Sequence, residues 1–192
     1  LDLYYAGVRV LVTEEDFHDL AWAYLERARR QNVRRAEVFF DPQAHTARGV
    51  DLSTVVAGLE AALREATAEL GLSVDLIMCF LRHLPAADAM ATLEAALPHR
   101  DRIIAVGLDS SERGYPPSLF ADVFARARAY GFRAVAHAGE EGPAEYVRQA
   151  LDMLRVERLD HGNSALDDDD LVRRLARSGT ALTVCPLSNL KL

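Results

Sequence analysis

Short β-branched runs alternate with amphipathic stretches along this chain, and that alternation restricts the possible folds more than any other feature. Alternating strands and helices imply parallel strands joined by right-handed crossovers. The runs are almost continuously apolar, as expected when helices cover both faces of a sheet. Strands are predicted at residues 36–40, 74–80, 103–108, 133–136, 158–160 and 182–185. The pattern therefore predicts an α/β fold.

Two architectures fit this pattern: a (β/α)8 barrel of the TIM type, incomplete here with about six βα units, or an open doubly wound sheet. No G-x-G-x-x-G or Walker sequence follows any predicted strand, which weakens the nucleotide-binding open sheet. The 192 residues contain no linker or low-complexity tract, so we predict one domain over residues 1–192. The chain opens at Leu1 rather than at Met and stops at Leu192, just after a strand-like run, so we expect a fragment.

Charge and cysteine content narrow the possible partners. The net charge of −7 makes a nucleic-acid backbone an unfavourable partner. No run of 18 apolar residues occurs, so a membrane partner is not expected. Cys79 and Cys185 cannot form a disulfide framework, which predicts a cytoplasmic protein. No feature indicates an oligomeric state.

Acidic residues mark two predicted helix starts. Thr13 is a candidate N-cap for a helix whose apolar face comprises Phe17, Leu20, Ala21, Tyr24, Leu25 and Ala28. The acidic run 167–170 lacks the spaced ligands of a calcium loop. It is typical of a helix N-terminus, with Asp167 or Asp168 as the cap, because the helix dipole favours negative charge there.

Four of the six histidines follow predicted strands at or just beyond their C-terminal ends. They are His45, His83, His137 and His161. In parallel βα folds these strand ends share one face, and that face holds the active site. We therefore expect the catalytic chemistry of this chain to lie there.

His137 and Glu140 form the strongest local signal, in Ala136-His137-Ala138-Gly139-Glu140. An imidazole beside a carboxylate suits a metal-bound water with an acid–base partner. A strand-end histidine hydrogen-bonded to its loop, next to an exposed glutamate, fits the spacing equally well.

A second signal is His161, which also ends a strand and precedes Gly162. Two neighbouring strands that each end in histidine could direct both side chains at one substrate. A catalytic zinc normally has three protein ligands. His45 and His83 lie past their strand ends, where anchoring a loop is the simpler role. The segment 109–112 could contact a substrate or serve only as a polar loop.

Taken together, these motifs resemble the zinc-dependent adenosine/adenine deaminase family over essentially the whole chain. The matching segments are His137-Ala-Gly-Glu140, Asp160-His161-Gly162, Cys185-Pro-Leu-Ser188-Asn189, Phe40-Asp41-Pro42-Gln43, Phe80-Leu81-Arg82-His83 and Gly107-Leu108-Asp109-Ser110-Ser111-Glu112. The sequences around Ser110 and Ser188 resemble the adenine deaminase branch most. Adenosine-specific members usually have glycine where Ser110 stands.

The resemblance implies a (β/α)8 barrel that binds Zn²⁺ at its mouth and deaminates adenine hydrolytically to hypoxanthine and ammonia, in purine salvage. His137 would be a zinc ligand. Glu140 would protonate the purine ring nitrogen next to the reacting carbon, and His161 would orient and help deprotonate the attacking water. The partner is then a small purine, and the resemblance alone indicates no substrate-binding residue by number.

Two features of the family pattern are absent from this chain. Its first strand carries an H-x-H zinc pair and its last strand carries paired aspartates, and residues 1–192 contain no H-x-H. We therefore expect the 192-residue chain alone to be inactive and to bind zinc weakly. The alternatives are an adenosine deaminase, or a non-catalytic relic or purine-binding protein of the same fold.

Overall fold

The structure is a computed structural model that describes residues 2–191. It divides into two compact units. The first unit comprises the residues up to Cys79 together with Glu94–Ile104. The second unit comprises Phe80–Leu93 and the residues from Ala105 onward.

Strands and helices alternate through the described residues, as the sequence predicts. The strands are β1 (Arg35–Phe40), β2 (Ser73–Leu81), β3 (Ile103–Asp109), β4 (Arg133–Ala138), β5 (Arg158–His161) and β6 (Ala181–Thr183). The α-helices are α1 (Asp2–Gly7), α2 (Glu14–Arg30), α3 (Pro42–Thr46), α4 (Leu52–Leu70), α5 (Ala86–Ala96), α6 (Ala121–Ala129), α7 (Ala144–Gln149), α8 (Asp169–Ser178) and α9 (Pro186–Asn189). Shorter 3₁₀ turns cover Val8–Val10, Leu97–Arg102, Pro117–Phe120 and Asn163–Asp167, and α7 continues as a π-helix over Ala150–Leu154.

In the first unit, β1 pairs in parallel with β2, from Arg35 opposite Ser73 to Phe40 opposite Met78. Helix α2 begins with a capping box, in which the Thr13 hydroxyl accepts from the Asp16 amide and the Asp16 carboxylate accepts from the Thr13 amide. This confirms the predicted cap.

One detail predicted for helix α2 is wrong. Leu20 and Tyr24 are 54% and 51% exposed, because the buried stripe of α2 is narrower than predicted and consists of Phe17, Ala21, Leu25 and Ala28. Helix α4 has its N-cap at Asp51 and ends at Gly71 in a left-handed conformation (φ +65°).

In the second unit, β3, β4, β5 and β6 lie side by side in that order, and each neighbouring pair is parallel. The register of β4 and β5 places His137 opposite Asp160 and Ala138 opposite His161. Both candidate catalytic strands therefore end at the same edge of the sheet. The alanines of β4, at positions 134, 136 and 138, are buried.

Helix α8 starts where the acidic run predicts. The Asp168 carboxylate accepts from the Leu171 amide and is also ion-paired with Arg148. Its pKa is lowered by the Arg148 hydrogen bond and then by that capping bond. Within residues 2–191, no helix combines the length and the apolar character that a membrane span requires. A single domain over residues 1–192 stays a prediction.

Candidate active site

His137 lies near the end of β4 with its ring held against the neighbouring strand. Its Nδ1 lies 3.0 Å from the carbonyl oxygen of Leu108, at the end of β3. Because a carbonyl oxygen can only accept, Nδ1 carries the ring proton in this contact. In the neutral ring Nε2 is then the unprotonated nitrogen, which is the form that a metal ligand requires.

His161 ends β5 in a strained backbone conformation, with φ +71°, and is followed by Gly162 at φ +76°. Left-handed backbone is costly for a residue with a side chain, and such strain commonly occurs at functional sites. Two contacts hold His161 in this conformation. Its amide donates to Thr183 Oγ1 at 3.1 Å, and its Nδ1 lies 2.8 Å from Asn189 Oδ1.

Glu140 meets His161 at the end of the sheet. The Glu140 Oε1 atom lies 3.3 Å from His161 Nε2, and the side chains are 20% and 7% exposed. Since Asn189 Oδ1 accepts from Nδ1, a favourable contact at Nε2 needs one proton, carried either by the carboxyl or by the imidazole. The Ser188 hydroxyl also donates to Glu140 Oε1, at 3.3 Å.

The structure brings together the three site residues predicted from the sequence. The ring centroids of His137 and His161 are 5.4 Å apart, and Glu140 contacts His161. The geometry combines a metal-competent imidazole, a second imidazole and a carboxyl group within reach of one small ligand. Such a set can activate a water molecule and protonate an acceptor. The individual roles stay predictions.

Sequence reasoning missed the part played by Glu112, because it offers the segment 109–112 only as a substrate contact or as a polar loop. Its carboxylate is 2% exposed and accepts three consecutive backbone amides. The distances are 2.6 Å from Gly139, 2.9 Å from Glu140 and 2.8 Å from Glu141. Backbone donors leave no side-chain pattern, so only the nearby glycines could have indicated this contact.

Arg82 is a fully buried cation behind the same segment. Its guanidinium donates to the carbonyl oxygen of Tyr115 at 2.9 Å and to that of His137 at 2.8 Å. Burial lowers the pKa of Arg82, and the charge of Glu112 is the largest opposing influence.

The other two strand-end histidines make anchoring contacts. In the first unit, His45 is buried in α3, and its Nδ1 lies 3.0 Å from Arg48 Nη2. Burial, followed by the Arg48 charge, lowers the pKa of His45. In the second unit, His83 Nδ1 lies 2.7 Å from the Ser110 hydroxyl. Ser110 itself has φ +73°, which is unusual for serine.

Comparisons with known proteins agree on one family. The family profile described as "Adenosine deaminase" matches residues 1–192. A protein named adenine deaminase from Rhodospirillum rubrum is 67% identical over 192 residues, which are 100% of this chain and 58% of that relative. This chain thus spans little more than half of that relative's length.

Solved structures have the same fold. The crystal structure of an adenine deaminase from Arthrobacter aurescens is 50% identical with a TM-score of 0.97, over 100% of this chain and 58% of that one. An amidohydrolase from Burkholderia ambifaria, described with bound Zn, is 34% identical with a TM-score of 0.90, over 93% of this chain and 50% of that one.

These likenesses decide between the two architectures left open by the strand pattern. The α/β fold is of the (β/α)8 TIM-barrel class, and residues 2–191 contain six of its strands. The predicted family resemblance is confirmed over the full length of the chain, including the segments that carry His137, Glu140 and His161. The chain belongs to the adenosine deaminase family.

Proposed function

We propose that the full product of the gene encoding this chain is an aminohydrolase that converts adenine and water to hypoxanthine and ammonia. The observation that supports it most is the contact between Glu140 and His161 beside His137. The 67% identity to a protein named adenine deaminase supports the choice of reaction. Purine salvage would be its metabolic setting.

We further propose that Zn²⁺ is the cofactor and that His137 is one of its ligands. The Leu108 carbonyl selects the His137 tautomer with an unprotonated Nε2, so His137 is in the form that can bind zinc. When bound, zinc would make water nucleophilic at neutral pH by lowering its pKa to about 7. In the family pattern, an H-x-H pair and paired aspartates would complete the site, and residues 1–192 contain no H-x-H.

In this mechanism Glu140 and His161 move protons in opposite directions. With the shared proton on the carboxyl, Glu140 donates to the ring nitrogen beside the reacting carbon, which makes that carbon electrophilic. The unprotonated Nε2 of His161 accepts a proton from the attacking water. The carbon–oxygen bond forms, and the bond to the amino group then breaks. The amino group takes the proton from His161 and leaves as ammonia. The hydroxyl on the carbon returns its proton to Glu140 as it becomes the carbonyl of hypoxanthine.

Asn189 and Thr183 would orient this machinery without touching the substrate. The amide oxygen of Asn189 keeps the proton of His161 on Nδ1, so Nε2 remains the base. The Thr183 hydroxyl accepts a hydrogen bond from the His161 amide. This contact would hold the strained backbone that directs the His161 ring toward Glu140.

Two observations favour adenine over adenosine as the substrate. One is the serine at position 110, and the other is the similarity to relatives named adenine deaminase. The resemblance associates glycine at this position with nucleoside use, and here a serine side chain is held by His83. An adenosine deaminase and a non-catalytic purine-binding relic remain the alternatives. We also propose a cytoplasmic location, which is supported by Cys79 and Cys185, since neither forms a disulfide.

The test uses the full gene product and compares adenine with adenosine by loss of the aminopurine absorbance. We expect turnover of adenine, and Glu140→Gln should reduce kcat by about 10²–10⁴-fold while adenine still binds. The matched control is Glu157→Gln, which removes an exposed carboxylate paired with Arg133 at the opposite end of β5. Preference for adenosine would favour the first alternative, and an unchanged kcat in Glu140→Gln would remove the catalytic role of that carboxyl.

A companion measurement concerns the 192-residue chain alone. We expect it to bind zinc weakly and to show no turnover, since the family pattern assigns only His137 of the zinc ligands to this segment. Metal analysis after dialysis tests this expectation. Stoichiometric, tightly held zinc in the purified chain would contradict it.

A further inference from the structure

The carboxylate of Glu112 accepts hydrogen bonds from three consecutive backbone amides of the loop that contains Glu140. These are the amides of Gly139, Glu140 and Glu141, at 2.6, 2.9 and 2.8 Å. The Glu140 amide and the catalytic carboxyl belong to one residue. A shift of the loop backbone is therefore transmitted directly to the contact with His161.

This arrangement requires both oxygens of an ionised carboxylate. Oε1 accepts from Gly139, and Oε2 accepts from Glu140 and Glu141. Successive amides converge on one anion only when the backbone turns sharply, and Gly139 supplies that turn with φ +78°. A glutamine at position 112 has one acceptor oxygen and would point its NH₂ group at donors.

Two glycines in the loop leave room for this contact. A Cβ atom at Gly142 would lie 2.7 Å from Glu112 Oε1 and 2.4 Å from Tyr146 Cδ2. A Cβ atom at Gly139 would lie 2.6 Å from both Ser164 Oγ and Val147 Cγ2. The loop thus packs closely against the Glu112 carboxylate at Gly142 and against Ser164 and Val147 at Gly139.

The buried charge of Glu112 is balanced by Arg82, whose guanidinium also binds the carbonyl oxygen of His137. The turn that follows β4 is therefore held at both ends. Arg82 holds the carbonyl before the turn, and Glu112 holds the amides after it. Hydrogen bonds to charged groups are stronger than those between neutral groups, so both contacts restrain this turn.

We propose that Glu112 is a positioning residue for the deamination reaction: it sets the backbone of residues 139–141 so that the Glu140 carboxyl stands within proton-transfer distance of His161. It acts through the loop and does not touch the substrate. The kinetic part of this inference rests on the proposed function, whereas the structural part does not.

The test is Glu112→Gln in the full gene product. We expect kcat to fall about 10²-fold, the loss typical of a misplacement of about 1 Å, with KM changed less than about 3-fold. Backbone ¹⁵N–¹H spectra should show faster hydrogen exchange at Gly139, Glu140 and Glu141. Glu157→Gln serves as the control for loss of a carboxylate, and Phe124→Leu, in the core against Phe80, serves as the control for loss of stability.

A second variant, Gly142→Ala, crowds both the Glu112 carboxylate and the Tyr146 ring without removing either. It should accelerate exchange at the same three amides and lower kcat in the same direction. If Glu112→Gln does not fold, the amide exchange and kcat of Gly142→Ala test the positioning role of Glu112.

The outcomes separate this inference from the proposed function. Faster exchange at the three amides in a protein that never deaminates adenine would leave the loop contact supported and overturn the proposed function. Unchanged exchange, or a kcat within about 2-fold of the parent, would overturn the inference. A kcat loss no larger than that of an equally destabilised Phe124→Leu would overturn it too, because the role would then be structural only.

Discussion

The amide oxygen of Asn189 lies 2.8 Å from Nδ1 of His161, although the two residues are 28 positions apart in the chain. The amide nitrogen of Asn189 donates in turn to Asn163 Oδ1 at 3.3 Å, which orients the group. Asn189 therefore selects the tautomer that leaves Nε2 facing Glu140. The short helix α9 contributes two side chains to the site, Asn189 against His161 and Ser188 against Glu140.

Asn189→Leu tests that relationship. The substitution removes the acceptor for Nδ1, so the ring is expected to populate both tautomers, and kcat should fall by roughly 3- to 10-fold, the equivalent of one neutral hydrogen bond. The ¹⁵N chemical shifts of the His161 ring report the tautomer directly. Leu187→Ala, at an exposed position of the same helix, is the control. A ring that stays in the Nδ1-protonated form would contradict this role.

Gly58 of α4 packs directly against the first turn of α2. A Cβ atom there would lie 2.3 Å from the Glu14 carbonyl oxygen and 2.8 Å from Phe17 Cβ. Gly58→Ala is therefore expected to lower the free energy of unfolding by about 1–3 kcal/mol, because backbone cannot yield as a flexible side chain does. Urea denaturation of the full gene product measures the change.

Gly7→Ala is the matched control for that substitution. Gly7 has helical dihedral angles, φ −66° and ψ −42°, and nothing lies within 4 Å of a Cβ atom built there. This variant should be neutral or more stable by about 0.4–1 kcal/mol, since alanine restricts the unfolded chain. Equal destabilisation by both variants would refute the role of close packing at Gly58.

The strand pattern predicted the site's location but only part of its construction. His137 and His161 could be placed together because parallel strands must end at one edge, and both residues end strands. The contacts of Glu112 and Asn189 could not be inferred, because they join positions distant in sequence. Backbone amides also carry no residue-specific signal, and a four-residue helix such as α9 is too short for a periodic pattern.

Local errors have a similar origin. Leu20 and Tyr24 lie at the helical spacing of a buried face, yet they are exposed in the described residues. Periodicity identifies which side of a helix is apolar, whereas the width of the buried stripe depends on the partner helix. Here the partner is α4, whose Gly58 packs directly against Glu14 and Phe17 of α2.

His18 is expected to stabilise the fold mainly at acidic pH. Its ring contacts Glu65 Oε2 at 2.8 Å and Asp19 Oδ1 at 3.1 Å, and these carboxylates raise its pKa above 6.5. The folded state therefore binds a proton more tightly than the unfolded chain. The contribution is fully present below pH 6.5 and is lost as pH rises through the folded pKa. His18→Gln should lower Tm at pH 6 more than at pH 9, and the opposite order would contradict this assignment.

His45 should have the opposite pH dependence. Burial, followed by the charge of Arg48, lowers the pKa of His45 below 6.5. As pH falls through 6.5, His45 becomes protonated in the unfolded chain but stays neutral in the folded state. The free energy of unfolding therefore declines until the pH reaches the folded pKa. In His45→Gln this part of the acid-side decline should be absent, although the variant starts from a lower stability at pH 8. Thermal unfolding between pH 8 and pH 5 measures both slopes, with His18→Gln as the comparison. Identical slopes in the parent and His45→Gln would show that His45 is not held neutral by its surroundings.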